Sequence, residues 1–195
     1  MALSQPDHQG QPRHVFLFSG HMIDAPTRPK PRFPAAKEAA AARKIAEALE
    51  QLGAGPEDLA FTQGACGGDL LFTEACQRRG VTVQWLQPFD EPEFIQKSVV
   101  CHSETWRSRY LAAKAKLTTA IRSAPRELGP PPTGSDPYER CNLWLFETAL
   151  SYGVKKIQFI CLWDGGGGPG GTAHMYQEVK RRTGQVTWLD TRTLP

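Results

Sequence analysis

Three glycine-containing segments each follow an apolar run, and their residue types suit the binding of an anion. The apolar runs end at Ser19-Gly20, at Gln63-Gly64 and at Trp163-Asp164. Glycine adopts positive φ and lets a backbone approach a ligand closely, and the free N–H groups of a following helix attract negative charge. Because the carboxyl ends of parallel strands meet at one edge of a sheet, we expect the three segments to form one crevice.

The second segment, residues 64–69, has the sequence GACGGD and runs directly into a predicted helix. Gly64, Gly67 and Gly68 are candidates for close approach of the backbone to a ligand, and Asp69 is a candidate ligand contact. A tight turn with Asp69 as the helix N-cap explains the same residues without any ligand. Both interpretations stay open.

The third segment, residues 164–172, has the sequence DGGGGPGGT and precedes another predicted helix. Gly170, Gly171 and Thr172 are predicted to hold a phosphate or a ribose, because Thr172 can both cap the helix and donate its hydroxyl. A flexible connector is the alternative. No GK[ST] sequence follows, so the segment is not a Walker motif and ATP hydrolysis is not predicted.

Polar side chains near these segments are candidates for binding or catalysis. We predict ligand contacts from Ser19, Gly20, His21, Arg32, Asp164 and His174. Arg32 belongs to a proline-rich loop, residues 20–34, where Arg28 is an alternative anion contact and a solvated position is the simpler explanation for either arginine. Glu74 lies one turn into the helix after the second segment, where it could accept ribose hydroxyls or serve as a catalytic carboxylate. An exposed helix charge is the alternative for Glu74.

The elements that must position these residues follow from the apolar pattern. Strands are predicted at residues 14–19, 59–63, 81–86, 156–163 and 186–189, and helices at 35–52, 70–79, 93–100, 103–121, 138–152 and 172–183. Residues 122–137 are predicted to be a loop. The alternation predicts one α/β domain over residues 14–195, with a Rossmann-like parallel sheet of about five strands and helices on both faces. Residues 1–13 are predicted to be a disordered polar tail.

Composition narrows the class of protein. The chain has 195 residues, of which 40% are hydrophobic and 22% charged, and its net charge is +3, which does not favour a nucleic-acid binder. No apolar run approaches the roughly 18 residues of a membrane span. Five cysteines without CxxC spacing indicate reduced thiols in a cytoplasmic protein. Cys101-His102 is a poor zinc signature, so we predict no metal site.

Three motifs together resemble the SLOG (SMF/DprA–Lonely Guy) superfamily, and most of all its signalling-associated branch. They are FSGHMID at residues 18–24, GACGGDLLFTE at 64–74 and the stretch 164–175. The resemblance covers residues 15–189 and implies a Rossmann-like fold that binds a nucleotide or a nucleotide-derived ligand, such as an NAD-type or ADP-ribose-type molecule or a nucleoside phosphate. It implies no separate cofactor. Relatives are commonly dimers, and the helices of residues 93–121 could supply a homodimer surface.

One departure from the family pattern concerns catalysis. Lonely Guy enzymes hydrolyse nucleoside 5′-monophosphates to base and ribose phosphate, and their PGGxGTxxE motif carries a catalytic glutamate. In this chain Met175 stands three residues after Thr172, where that glutamate would lie. The resemblance therefore implies a sensor-like binding domain. An N-glycosidase that uses Glu74 and an interaction module without a ligand are the two alternatives.

Overall fold

Six strands of this chain pair into one parallel sheet. They are β1 (Val15–Gly20), β2 (Leu59–Thr62), β3 (Thr82–Gln87), β4 (Arg122–Ser123), β5 (Ile157–Trp163) and β6 (Val186–Asp190). Their order across the sheet is β4-β3-β2-β1-β5-β6, and every neighbouring pair is parallel. The structure is a computed structural model that describes residues 10–100, 103–167 and 171–195.

Helices connect the strands and cover both faces of the sheet. They are α1 (Glu38–Gln51), α2 (Gly68–Arg78), α3 (Glu91–Phe94), α4 (Thr105–Lys114), α5 (Ala124–Leu128), α6 (Pro137–Leu150) and α7 (Thr172–Thr183). A π-helical turn, Ile95–Val99, continues α3. Within the described ranges, no helix combines the length and the apolar character that crossing a bilayer requires.

The central strand β1 shows why the sheet is buried on both faces. Val15, Leu17 and their neighbours are fully buried, since a strand between two helical layers has no solvent face. Phe16 and Phe18 pack into the core on the side of α1, α2 and α4, whereas Val15 and Leu17 pack into the core on the side of α6 and α7. The predicted Rossmann-like α/β architecture of a single domain is confirmed by this three-layer arrangement.

Three details of the prediction were wrong. The sheet has six strands, because Arg122–Ser123 pairs with the end of β3 as β4. The stretch at 122–137 therefore contains β4 and α5 and is not one loop. The helix expected over residues 103–121 ends at Lys114, where turns at residues 115 and 116 replace it.

The strand order reverses its direction of growth between β1 and β5. The chain builds β2, β3 and β4 on one side of β1, then crosses over to place β5 and β6 on the other side. At such a switch point the connections leave in opposite directions and open a crevice at the carboxyl ends of the strands.

Candidate functional site

A cleft of about 240 Å³ opens at this switch point. Its lining comes from the ends of β1, β2 and β5 and from the starts of α6 and α7. Among the predicted residues, those that line the cleft are Ser19, Gly20, His21, Arg32, Asp69, Asp164, Gly171 and Thr172. The first and third glycine-containing segments therefore meet in space, although more than 140 residues separate them (His21 and Asp164 are 143 apart).

The start of α7 forms one wall of the cleft. Gly171, at φ +79°, is the N-cap residue, and the Thr172 hydroxyl lies 3.2 Å from the Ser19 hydroxyl at the end of β1. The first N–H of α7 with an acceptor among the described residues is that of Met175, which reaches the Gly171 carbonyl at 3.3 Å. Helix N–H groups before Met175 can therefore donate to an anion. Gly170 lies outside the described residues.

The proline-rich loop places Arg32 in the cleft. The carboxylate of Asp24 accepts hydrogen bonds from the backbone N–H groups of Arg32 and Phe33, each at 2.6 Å, which folds the loop back on itself. Arg28 points to Asp24 at 3.3 Å, but Arg32 has no carboxylate within ion-pair distance in the described part of the chain. Burial, reinforced by the charge of Arg28, lowers the pKa of Arg32. An arginine keeps its charge under such a shift, so a half-buried cation faces the cleft.

His21 and Asp164 pair across the ends of β1 and β5. The imidazole Nε2 lies 3.0 Å from the Asp164 carboxylate. Burial lowers the pKa of His21 despite this carboxylate, whereas hydrogen bonds from the Gly166 N–H and from His21 outweigh burial and lower the pKa of Asp164. At neutral pH the pair is thus a neutral imidazole and a carboxylate. Two groups of Asp164 lie near Nε2: the carboxylate at 3.0 Å and the backbone N–H at 3.3 Å. Because a carboxylate only accepts and lies nearer, the imidazole proton is on Nε2, and Nδ1 is left as an acceptor.

The floor of the cleft contains a buried carboxyl group. Asp69, in the first turn of α2, is 6% exposed and accepts a hydrogen bond from the Ala65 N–H at 3.3 Å. Burial raises its pKa to about 7, because the hydrogen bonds it accepts offset only part of the loss of hydration. Asp69 is therefore present in both protonation states at neutral pH.

Asn142 ties the floor to the α7 wall. Its side chain is 1% exposed, accepts from the Gln63 amide at 2.8 Å and donates to the Gly171 carbonyl at 3.0 Å. One buried amide thereby joins the end of β2, helix α6 and the N-cap of α7. Such fully paired amides fix the relative positions of the elements that they bridge.

The glycines of the second segment have a packing role beneath the cleft and do not line it. A Cβ at Gly67 would lie 2.6 Å from the Ile23 nitrogen, and one at Gly64 would lie 2.8 Å from the Trp85 ring. Gly68 packs against the backbone of Gly20, and its N–H donates to the His21 carbonyl at 3.0 Å. Close packing of this segment against the first one supports the position of His21.

Glu74 and His174 also lie outside the cleft. Glu74 forms a double hydrogen bond with Arg109 at 2.8 and 2.7 Å, and Arg109 also reaches Glu38 at 2.6 Å. This network lies on the outer side of α2, between α1 and α4, and satisfies the Glu74 carboxylate. His174 lies in the first turn of α7 but does not line the cleft.

Sequence reasoning missed the wall that α6 supplies. Asp136 caps α6 by accepting from the N–H groups of Tyr138 and Glu139 at 2.8 and 3.0 Å, and Asp136, Tyr138 and Asn142 all line the cleft. An Asp-Pro pair is typical of a helix start. Asn142 also stands on the apolar face of α6, three residues before Leu145. A polar residue in that position indicates a buried hydrogen-bonding role.

Comparisons with known proteins give little beyond this geometry. No protein-family model matches the chain, and no curated protein matches it. Among solved structures, the X-ray structure of TM1055, a structural genomics target, is similar with a TM-score of 0.45 and 16% identity. The match covers 89% of this chain and 72% of that one. The fold assignment rests on the strand order of this chain itself.

Proposed function

We propose that the cleft binds a nucleotide or a nucleotide-derived ligand, with its phosphate at the start of α7. The observation that carries this proposal is Arg32, a half-buried guanidinium that lines the same cleft as the start of α7. Its Nε is buried and has no hydrogen-bond partner among the described residues. A buried donor without an acceptor is unfavourable unless a ligand supplies one.

The other cleft residues fit the same ligand. The hydroxyls of Ser19 and Thr172 lie together beside the helix N-terminus, where phosphate oxygens would accept hydrogen bonds. Asp69 and Asp136 supply further polar groups to the cleft, as ribose hydroxyls and base edges require. The resemblance of residues 18–24 and 164–175 to the SLOG superfamily supports this class of ligand, and a sensor-like role is part of the proposal.

Calorimetry with a matched pair of arginine variants tests this function. We expect AMP or ADP-ribose to bind the natural chain, and Arg32→Gln to weaken binding by roughly tenfold or more, since hydrogen bonds to charged groups contribute about 1.5–3 kcal/mol. Arg28→Gln is the control, because Arg28 lies on the same loop but pairs with Asp24 at 3.3 Å. Absence of binding at millimolar nucleotide, or equal losses in both variants, would contradict the proposal.

A second candidate function is hydrolysis of the N-glycosidic bond of a nucleoside 5′-monophosphate. The His21–Asp164 pair favours it, because a neutral imidazole held by a carboxylate can take a proton from water. Glu74 is paired with Arg109 outside the cleft, so we expect release of free base to persist in Glu74→Gln and to be lost in His21→Asn. Release that is lost in Glu74→Gln and persists in His21→Asn would instead support Glu74 as the catalytic residue. Intact ligand in every assay would show binding without hydrolysis.

Two further parts of the proposal concern the surroundings of the protein. A homodimer would use the segment 93–121, where Leu111 of α4 is 49% exposed, and sedimentation velocity of Leu111→Glu against the natural chain would test it. A cytoplasmic location would suit Cys76, Cys141 and Cys161, which are buried free thiols. Cys101 and His102 lie outside the described residues.

A further inference from the structure

Trp163, the last residue of β5, presents an aromatic ring at the rim of the cleft. Its indole N–H donates to the Gly166 carbonyl at 3.0 Å, and its own carbonyl accepts from the Trp188 indole at 2.9 Å. The rings of Tyr176 and Trp188 lie behind it, with centroid distances of 5.1 and 5.7 Å. The orientation of the Trp163 ring is therefore set before any ligand arrives.

The surroundings of Trp163 leave room for a flat group. Gly166 and Gly167 line the cleft next to the ring, and a Cβ at Gly167 would meet no atom of the described residues within 4 Å. The indole polar edge is already satisfied by Gly166, so the ring offers a ligand its face. Apolar, planar contact of this kind suits an aromatic base.

Trp163 and the proposed phosphate site belong to the same cleft. The indole packs on Tyr176 of α7 at a centroid distance of 5.1 Å, and both Trp163 and Thr172 line the cleft. A ligand with its phosphate at the start of α7 therefore occupies a cleft that the indole also lines.

Tyr138 is the other aromatic residue of the cleft, and its contacts differ. Its hydroxyl is hydrogen-bonded to Ser98 at 3.1 Å, and its ring meets Phe89 edge-on at 5.5 Å. These contacts tie Tyr138 to the wall formed by α6 and the α3 region. Trp163 has the larger ring, and Gly166 and Gly167 line the cleft beside it.

We propose that Trp163 stacks on the nucleobase of the ligand, so that this site selects nucleotides over sugar phosphates that lack a base. This inference rests on the proposed nucleotide-binding function and adds the subsite for the base. Stacking tolerates any base but increases with ring area, so purine nucleotides bind more tightly than pyrimidine nucleotides.

The test compares AMP with ribose 5-phosphate by calorimetry. In the natural chain we expect AMP to bind at least about fivefold more tightly, as base–aromatic stacking provides. Trp163→Leu removes that ratio and leaves the affinity for ribose 5-phosphate unchanged, whereas Trp163→Phe retains part of the ratio. Trp144→Leu is the matched control, because the Trp144 ring contacts Arg122 and does not line the cleft. Quenching of tryptophan fluorescence by AMP should disappear in Trp163→Leu alone.

The outcomes separate this inference from the function on which it rests. Equal affinities for AMP and ribose 5-phosphate in the natural chain would overturn the base subsite and leave phosphate binding standing. Loss of the ratio in Tyr138→Leu but not in Trp163→Leu or Trp163→Phe would overturn it as well. If neither compound binds at millimolar concentration, the proposed function fails and the subsite fails with it.

Discussion

The imidazole of His21 and the carboxylate of Asp164, 3.0 Å apart, join the ends of the two strands that flank the switch point. The charged groups that face His21 are Asp164, Asp24 and Arg32. Burial, reinforced by the positive charge of Arg32, outweighs the two carboxylates and keeps the imidazole neutral at pH 7. A ligand that brings negative charge into the cleft changes that balance.

We therefore expect nucleotide binding to take up a proton on His21. The pKa of His21 in the free site is below its ordinary 6.5, and a bound phosphate raises it, so affinity increases as pH falls from about 8 to 6. Calorimetry in two buffers of different ionisation heat measures the uptake. His21→Gln is the control for the phosphate's own titration near pH 6, and identical proton uptake in that variant would refute the role of His21.

Asp69 makes the stability of the fold depend on pH in the same direction, with stability lost as pH rises. Its pKa is about 7 in the folded chain and near 4 in the unfolded chain, so the folded state holds an extra proton between these values. Stability conferred by this group is present below pH 4 and is lost as pH rises toward 7, at about 1.4 kcal/mol per pH unit. Relative to Asp69→Asn, the natural chain should lose about 2 kcal/mol of unfolding free energy between pH 5 and pH 8. Urea denaturation at both pH values measures this loss. An equal difference in unfolding free energy between the two proteins at pH 5 and at pH 8 would contradict the prediction.

Gly67 and Gly171 form a matched pair for testing why glycine occurs in the two segments. Both have positive φ, at +83° and +79°, so replacement by alanine imposes a similar backbone strain of about 1–3 kcal/mol. A Cβ at Gly67 would lie 2.6 Å from the Ile23 nitrogen, whereas a Cβ at Gly171 would meet nothing within 4 Å. We expect Gly67→Ala to be at least about 2 kcal/mol less stable than Gly171→Ala in denaturant, or not to fold. Equal stabilities would show that the segment beneath the cleft can shift.

Asn142 should matter for both stability and binding. Asn142→Ala leaves the Gln63 amide and the Gly171 carbonyl without their partner, and each lost buried bond is worth about 1–3 kcal/mol. We expect a loss of about 2–4 kcal/mol in unfolding free energy and weaker nucleotide binding, since the start of α7 is no longer held. Leu143→Ala, at a neighbouring position that is 38% exposed, should cost under about 0.5 kcal/mol. Similar losses of unfolding free energy in the two variants would show that Asn142 does not bridge these elements.

The architecture could be predicted largely from the apolar pattern, because β1, β2, β3 and β5 are buried apolar runs. β4 has only two residues, and no periodicity exists over that length. The predicted extension of α4 to residue 121 overlooked Thr118 and Thr119, adjacent β-branched residues that are weak helix formers. Its true end at Lys114 depends on local chain sterics that the apolar pattern does not include.

The candidate site was predictable where it depended on strand ends and hidden where it depended on helix docking. Ser19, His21 and Asp164 follow apolar strands, and parallel topology alone brings them to one edge. Asn142 reaches the cleft only because α6 packs beside α7. Glu74 was a reasonable candidate from its distance to the second segment, but its direction is decided by Arg109 on α4, a partner that sequence spacing does not reveal.

The central place of β1 has a consequence for biosynthesis. Val15 pairs with Leu59 of β2 on one side and with Ile157 of β5 on the other. One edge of β1 therefore stays unpaired during synthesis until β5 emerges, roughly a hundred residues after β2. A nascent chain at that stage has a half-formed sheet with an open apolar edge, a state that favours aggregation or chaperone capture. The cleft is completed late, because its α6 and α7 walls are synthesised just before and after β5. Ligand occupancy would therefore report that synthesis has passed β5 and the start of α7.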